Sequence, residues 1–305
     1  MKRRAFIQAG TGAAMAAGLA GAFPALLQAA DKGIIQRTIP SSGQKIPVIG
    51  LGTSGPFEAQ SDAAALAPLR EVVDAFFAGG ATLIDTSPMY STAEKVLGEL
   101  LSPAQQRSAF IATKVWTRGE AEGIAQMQQS MALMKRDSVD LMQVHNLLDL
   151  ETQLRTLRKW KEQGKIRYIG VTHFTVASHA DLEALIKREP LDFLQFNYSA
   201  TTPDAENGLL PLCADRGVAT LINRAFDDGK IFARVKDRPL PGWAAEIDCT
   251  TWAQLLLKFV IAHPAVTCVI PATGKVRNLR DNLGGGSGRL PDARQLAQIR
   301  ELVRT

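Results

Sequence analysis

The sequence predicts an α/β chain folded as one (β/α)8 barrel of the TIM type, and three observations lead there. Eight short apolar, β-rich runs alternate with amphipathic helical stretches, no Pro/Ser-rich linker or charge block divides residues 31–305, and no G-x-G-x-x-G follows the first run. The alternation implies parallel strands joined by helices, and eight such units can close on themselves. The missing glycine pattern weakens the alternative, an open doubly wound sheet that binds a nucleotide at its first turn.

In chain order, residues 34–38 and 45–48 flank Ser41-Ser42-Gly43 and read as a β-hairpin capping the barrel floor. The strand runs are 48–51, 81–86, 110–114, 139–145, 166–172, 193–197, 218–223 and 266–271. Helical patterns lie between them, such as 63–77 ending at Gly79-Gly80 and 151–162 ending at Gly164. Ser91 with Glu94, and Thr251 with Gln254, have the spacing of capping boxes, in which side chains satisfy the free amides of a helix start. A last helical pattern covers 292–303.

The chain holds 35 Lys and Arg against 30 Asp and Glu, a net charge of +5. Three of these charges are Lys2, Arg3 and Arg4, in a stretch of 30 residues with no acid, so residues 31–305 are nearly neutral. That balance excludes a nucleic-acid binder, whose affinity grows with the number of phosphates neutralised. With 46% hydrophobic and 21% charged residues, disorder is excluded too. Cys213, Cys249 and Cys268 are too few for a disulfide scaffold and lack the spacing of a zinc site, so no metal is expected.

Basic residues 2–4 followed by an uncharged, Ala- and Gly-rich stretch to Ala30 have the layout of an export signal. Arg3-Arg4-Ala5-Phe6-Ile7 resembles the twin-arginine motif. The expectations are a signal peptide over 1–30, the twin-arginine translocation machinery as partner, a periplasmic destination and no stable membrane association after cleavage. An uncleaved membrane anchor is the alternative, because the run exceeds the ~20 residues that span a bilayer. Its Ala and Gly content makes it weakly apolar for that purpose.

Reactive groups of a (β/α)8 barrel collect at the carboxyl ends of its strands. The polar residues there are Asp85, Tyr90 in the loop that follows, Lys114 and His145. Together they suggest a proton-transfer site. A free tyrosine has a pKa near ~10 and is a poor acid at neutral pH, and an adjacent ammonium lowers it. At ~4 Å that attraction is on the order of 4 kcal/mol at an effective dielectric of ~20. Lys114 can supply the ammonium, Asp85 can hold it charged and aimed, and His145 can donate a hydrogen bond to a substrate oxygen.

Asp85-Thr86-Ser87-Pro88-Met89-Tyr90, Thr113-Lys114-Val115-Trp116, Val144-His145-Asn146 and Gly164-Lys165-Ile166-Arg167-Tyr168-Ile169-Gly170-Val171 resemble, in order, the aldo-keto reductase family. The similarity runs from Gly50-Leu51-Gly52-Thr53 to Asn282. It implies NAD(P)H-dependent reduction of an aldehyde or ketone, with the pro-R hydride of nicotinamide C4 passing to the carbonyl carbon and Tyr90 protonating the oxygen. It implies NADP(H), with NAD(H) second, and a small-molecule carbonyl substrate. Implied cofactor residues are Gly52 and Thr53 near the start, Thr172, His173 and Gln195 at the carboxamide, and Asn223 and Arg224 near the seventh strand. At the adenosine phosphate they are Thr273, Lys275, Arg277, Asp281 and Asn282. His173 departs from the family's usual Asn, and Asn223 stands where an aromatic ring commonly stacks on the nicotinamide. Phe57, Trp116 and Trp243 are candidates to line the substrate mouth, with local packing as the other reading. The chain ends shortly after 292–303, without the long terminal loop that narrows specificity in many relatives, so an open mouth is expected.

Two other functions compete with a reductase. One is a nicotinamide-binding sensor or partner subunit with residual activity, against which all four catalytic types speak. The other is a barrel aldolase or isomerase with a Schiff base on Lys114, which Asp85 disfavours by keeping the amine protonated.

Overall fold

A short antiparallel pair, β1 (Gln36–Thr38) and β2 (Lys45–Pro47), opens the part of the chain that the computed structural model describes, residues 33–304. Gly43 takes φ +74° in the turn between them. Eight parallel strands follow: β3 (Leu51–Gly52), β4 (Leu83–Asp85), β5 (Phe110–Val115), β6 (Val139–His145), β7 (Ile166–Thr172), β8 (Phe193–Asn197), β9 (Ala219–Asn223) and β10 (Cys268–Val269). They pair in sequence order from β3 to β10. Parallel bridges Ile49↔Val269 and Gly52↔Ala272 then join the last strand to the first. The fold is the (β/α)8 barrel.

The seam strands are shorter than the apolar runs that announce them. Pro271 has no N–H to give a ladder, and the seam is carried by single bonds such as Gly50 N to Val269 O and Val269 N to Val48 O, each 2.8 Å. The backbones also come very close there. A Cβ on Gly52 would lie 2.7 Å from Ile270 O, and one on Gly50 would lie 3.1 Å from Cys268 Sγ across the seam and 2.9 Å from Leu83 O on β4.

The helices are α1 (Ala63–Ala78), α2 (Ala93–Leu100), α3 (Pro103–Ser108), α4 (Glu120–Leu133), α5 (Leu150–Glu162), α6 (His179–Arg188), α7 (Leu209–Arg216), α8 (Lys230–Val235), α9 (Trp252–Ala262), α10 (Val276–Gly285) and α11 (Ala293–Arg304). Thr251 caps α9 by accepting from Gln254 N, while the Gln254 side chain takes Thr250 N. The box expected at Ser91 does not form. Ser91 adopts φ +46°, α2 starts without a side-chain cap, and Glu94 turns inward to accept from Thr113 Oγ1 at 2.5 Å. Ser102 and Gln105 form a full capping box on α3 instead.

Strand side chains alternate between two cores, because successive residues point to opposite faces. Outward residues such as Ile84, Ile111, Met142 and Val144 pack under the helices. Inward residues Leu83, Phe110, Leu141, Tyr168 and Phe193 fill the lower barrel together with Ile39 and Ile46 of the hairpin. The Tyr168 hydroxyl, 2.8 Å from both Ser42 Oγ and Gln44 Oε1, pins the hairpin to that end. The hairpin therefore closes the amino-terminal floor, as the sequence predicts, and leaves the opposite end open to chemistry. Cys213, Cys249 and Cys268 are buried free thiols.

Candidate active site

The period of two that fills the lower barrel with apolar side chains sets polar ones at its top. Two residues beyond Leu83 on the same inward face stands Asp85, and beyond Phe110 and Ala112 stands Lys114. Leu141 is followed inward by Gln143 and His145, Phe193 by Gln195, and Leu221 by Asn223. A cleft of about 800 Å³ opens above them.

Lys114 is fully buried, and its Nζ donates to Asp85 Oδ2 and to Thr86 O, both at 2.7 Å. The other carboxylate oxygen of Asp85 accepts from Gln195 Nε2 at 2.8 Å and from Gln143 Nε2 at 3.1 Å. Burial alone would lower the Lys114 ammonium, but the Asp85 carboxylate and the Tyr90 phenol beside it more than offset this and hold it above its ordinary value. Lys114 Nζ lies 4.9 Å from the Tyr90 ring centroid. The tyrosine itself departs from the sequence-based expectation. Burial raises its phenol above the ordinary value, and Lys114 only moderates that rise.

His145 stands edge-on to Tyr90, with ring centroids 6.3 Å apart and planes at 86°. Burial, helped by the Lys114 charge and by His173, pulls its imidazole down to about 3, so it is neutral across the ordinary pH range. A protonated phenol, a buried cation beneath it and a neutral imidazole converge on one wall of the cleft.

The rest of the cleft runs from this wall to the start of α10. Gly52, Thr53, Thr172, Gln195, Asn223, Arg224, Thr273, Asp281 and Asn282 all line it. Thr53 Oγ1 donates to Asp85 O at 3.1 Å, tying the first strand to the second. Asp281 accepts from Thr251 Oγ1 at 2.8 Å, and Asn223 Nδ2 donates to His173 O at 3.1 Å. Lys275 and Arg277 are exposed beside Thr273, outside the lining proper.

His173 is not brought to the cleft. Its Nδ1 accepts from Phe174 N at 3.0 Å and its Nε2 lies 3.1 Å from Ser178 Oγ, so the ring serves its own loop. Phe174 stacks on it at 14°, and the Arg224 guanidinium lies 4.4 Å from the Phe174 ring centroid. Arg224 also pairs with Asp228 at 3.3 Å.

Of the mouth aromatics, Trp116 is 41% exposed with its ring 6.3 Å from that of His145. Phe57 is fully buried in the outer core, and Trp243 packs against the same core outside the cleft lining. Sequence reading missed Gln143, Ser87, Phe174, Asp228 and Asn278. Gln143 had a signal, since two residues before His145 on a strand is the same face.

The fold and this wall define a barrel enzyme built around a proton donor at the carboxyl ends of its strands. A sequence profile of the Aldo/keto reductase family matches residues 48–304, and the chain belongs to that family. It is 26% identical to probable aldo-keto reductase 1 of Glycine max, over 86% of this chain and 87% of that protein. Among solved structures it resembles an aldo-keto reductase from Klebsiella pneumoniae in complex with NADPH, at 24% identity and a TM-score of 0.73 over 88% of this chain and 95% of that one. It also resembles aldo-keto reductase AKR11C1 from Bacillus halodurans, at 20% identity and a TM-score of 0.72 over 88% and 96%.

Proposed function

We propose that the protein reduces an aldehyde or ketone to an alcohol at the expense of NADP(H), with Tyr90 as the proton donor. The observation that carries this is the buried Asp85–Lys114 pair under a protonated tyrosine, at one wall of a cleft of about 800 Å³ that Thr273, Asn278 and Asn282 also line. The donor set fits that group. Thr172, Gln195 and Asn223 present a hydroxyl and two amides near the catalytic wall, Arg224 a guanidinium, and Thr273, Asn278 and Asn282 polar groups toward α10. Exposed Lys275 and Arg277 beside Thr273 favour a 2′-phosphate, hence NADP(H) over NAD(H). The NADPH held by the Klebsiella pneumoniae relative supports the same choice.

When bound, NADP(H) supplies the hydride. Tyr90 gives its proton to the carbonyl oxygen, and Lys114 stabilises the phenolate that forms. Asp85 and Thr86 O hold the ammonium in place, and His145, being neutral, orients the same oxygen by a hydrogen bond. A panel of aldehydes and ketones should show saturable NADPH oxidation by the purified protein. No turnover of any of them, with NADPH bound, would instead favour a nicotinamide-binding sensor.

The export reading rests on sequence, because residues 1–30 lie outside the described residues. Lys2, Arg3 and Arg4 ahead of an uncharged stretch support a twin-arginine signal and a periplasmic location. That route moves folded proteins, so the enzyme carries its nucleotide with it. Changing Arg3 and Arg4 to Lys is expected to leave most of the protein in the cytoplasmic fraction. Equal export of the variant would remove the twin-arginine assignment.

A further inference from the structure

Ser87 sits in the turn between Asp85 and Tyr90, is fully buried and faces the catalytic histidine. Its Oγ has two partners among the described residues. One is the backbone N–H of Met89, which donates to it at 3.3 Å, and the other is His145 Nδ1 at 3.2 Å. A hydroxyl has one proton to give. Met89 N–H occupies an acceptor site on the oxygen and offers nothing to accept that proton. If Nδ1 carried the imidazole hydrogen, Oγ would accept twice and its own proton would be sealed from solvent with no acceptor. A buried hydroxyl left without a partner is costly.

The bond therefore runs from Ser87 to the ring. We infer that Ser87 is a positioning residue for carbonyl reduction: by donating to Nδ1 it fixes His145 as the Nε2–H tautomer, which aims the ring's one hydrogen into the cleft at the substrate oxygen. The other nitrogen is free for that task. Among the described residues Nε2 has no protein partner, and His145 lines the cleft beside Tyr90. Because the imidazole is neutral, it has a single hydrogen, so the tautomer decides whether the ring donates to the carbonyl or repels it. Ser87 never touches the reacting atoms and acts through the ring alone.

This role rests on the reductase reading for its consequence but not for its geometry, and the test separates the two. The chain has four histidines, so long-range ¹H–¹⁵N spectra of the full-length protein, assigned with His145→Gln, resolve the ring. Wild type should show His145 protonated at Nε2. Ser87→Ala should lose that pattern in favour of a mixture or the Nδ1–H form. Turnover of 4-nitrobenzaldehyde with NADPH should fall about tenfold, the scale of one misdirected hydrogen bond, with NADPH affinity unchanged. Ser87→Thr, which keeps the hydroxyl, should restore the Nε2–H pattern. An Nδ1–H ring in wild type, or an unaltered Nε2–H ring in Ser87→Ala, overturns the inference. If the alanine variant does not fold, Ser87→Gly, which also removes the hydroxyl, gives the same reading. An Nε2–H wild type that reduces no carbonyl leaves the positioning intact and sinks the reductase reading instead.

Discussion

Tyr90→Phe is expected to lower turnover at least ~100-fold, the scale of a lost general acid, while NADPH affinity stays nearly unchanged. The substitution removes one oxygen and keeps the ring, so the edge-on packing against His145 and the position over Lys114 survive. No other group on the wall can give a proton. His145, with its imidazole pulled down to about 3, is neutral in the resting enzyme, and the Lys114 ammonium is committed to Asp85 and Thr86 O. Burial raises the phenol above its ordinary value, so Tyr90 keeps its proton at neutral pH. The attraction of Lys114 is realised as the phenolate forms, which concentrates its effect in the transition state. Wild-type turnover should accordingly hold through neutral pH and decline only in the alkaline range, above ~10. Saturating NADPH oxidation rates and a fluorescence titration of the nucleotide check both halves, and equal turnover in the variant would mean that the proton comes from elsewhere.

The residues that carry this prediction were legible because chemistry and periodicity coincide in them. Asp85, Lys114 and His145 each end a run whose alternate residues face inward, so a strand and a mouth are enough to place them. What needs register was hidden. Gln195 reaches Asp85 across 110 positions, and nothing local to either residue announces the contact. Local rules also lose to tertiary ones. Ser91 and Glu94 have capping-box spacing, yet Glu94 is worth more under the barrel wall as the partner of Thr113. His173 has the right position for a carboxamide ligand, but the amides of Phe174 and Thr175 beside it are nearer acceptor-seeking groups and take its ring. Phe57 shows the same limit from the apolar side: a loop aromatic has no periodicity to say whether it faces the mouth or the core.

Removing the cation is a different experiment from removing the acid, because it leaves a charge behind. In Lys114→Met the thioether chain fills most of the lysine's volume, so packing is largely kept. Asp85 stays buried with only the amides of Gln143 and Gln195 as partners. Breaking a buried pair from one side costs about 3–5 kcal/mol. That loss should appear in urea unfolding at neutral pH as a lower midpoint with an unchanged slope. Turnover should fall as well, since the phenolate would form without a counter-charge. The pH dependence separates the pair from simple repacking. In the folded wild type Asp85 and Tyr90 hold the lysine above its ordinary value despite burial, so the protein binds that proton more tightly than the unfolded chain does. The stabilisation is therefore complete below about 10.4, the unfolded value, and is lost as pH rises through the higher folded value. The methionine variant has no such proton to lose. Its stability deficit should stay constant through neutral pH and narrow on the alkaline limb. Curves that remain parallel through that limb would assign the deficit to packing and not to the ammonium.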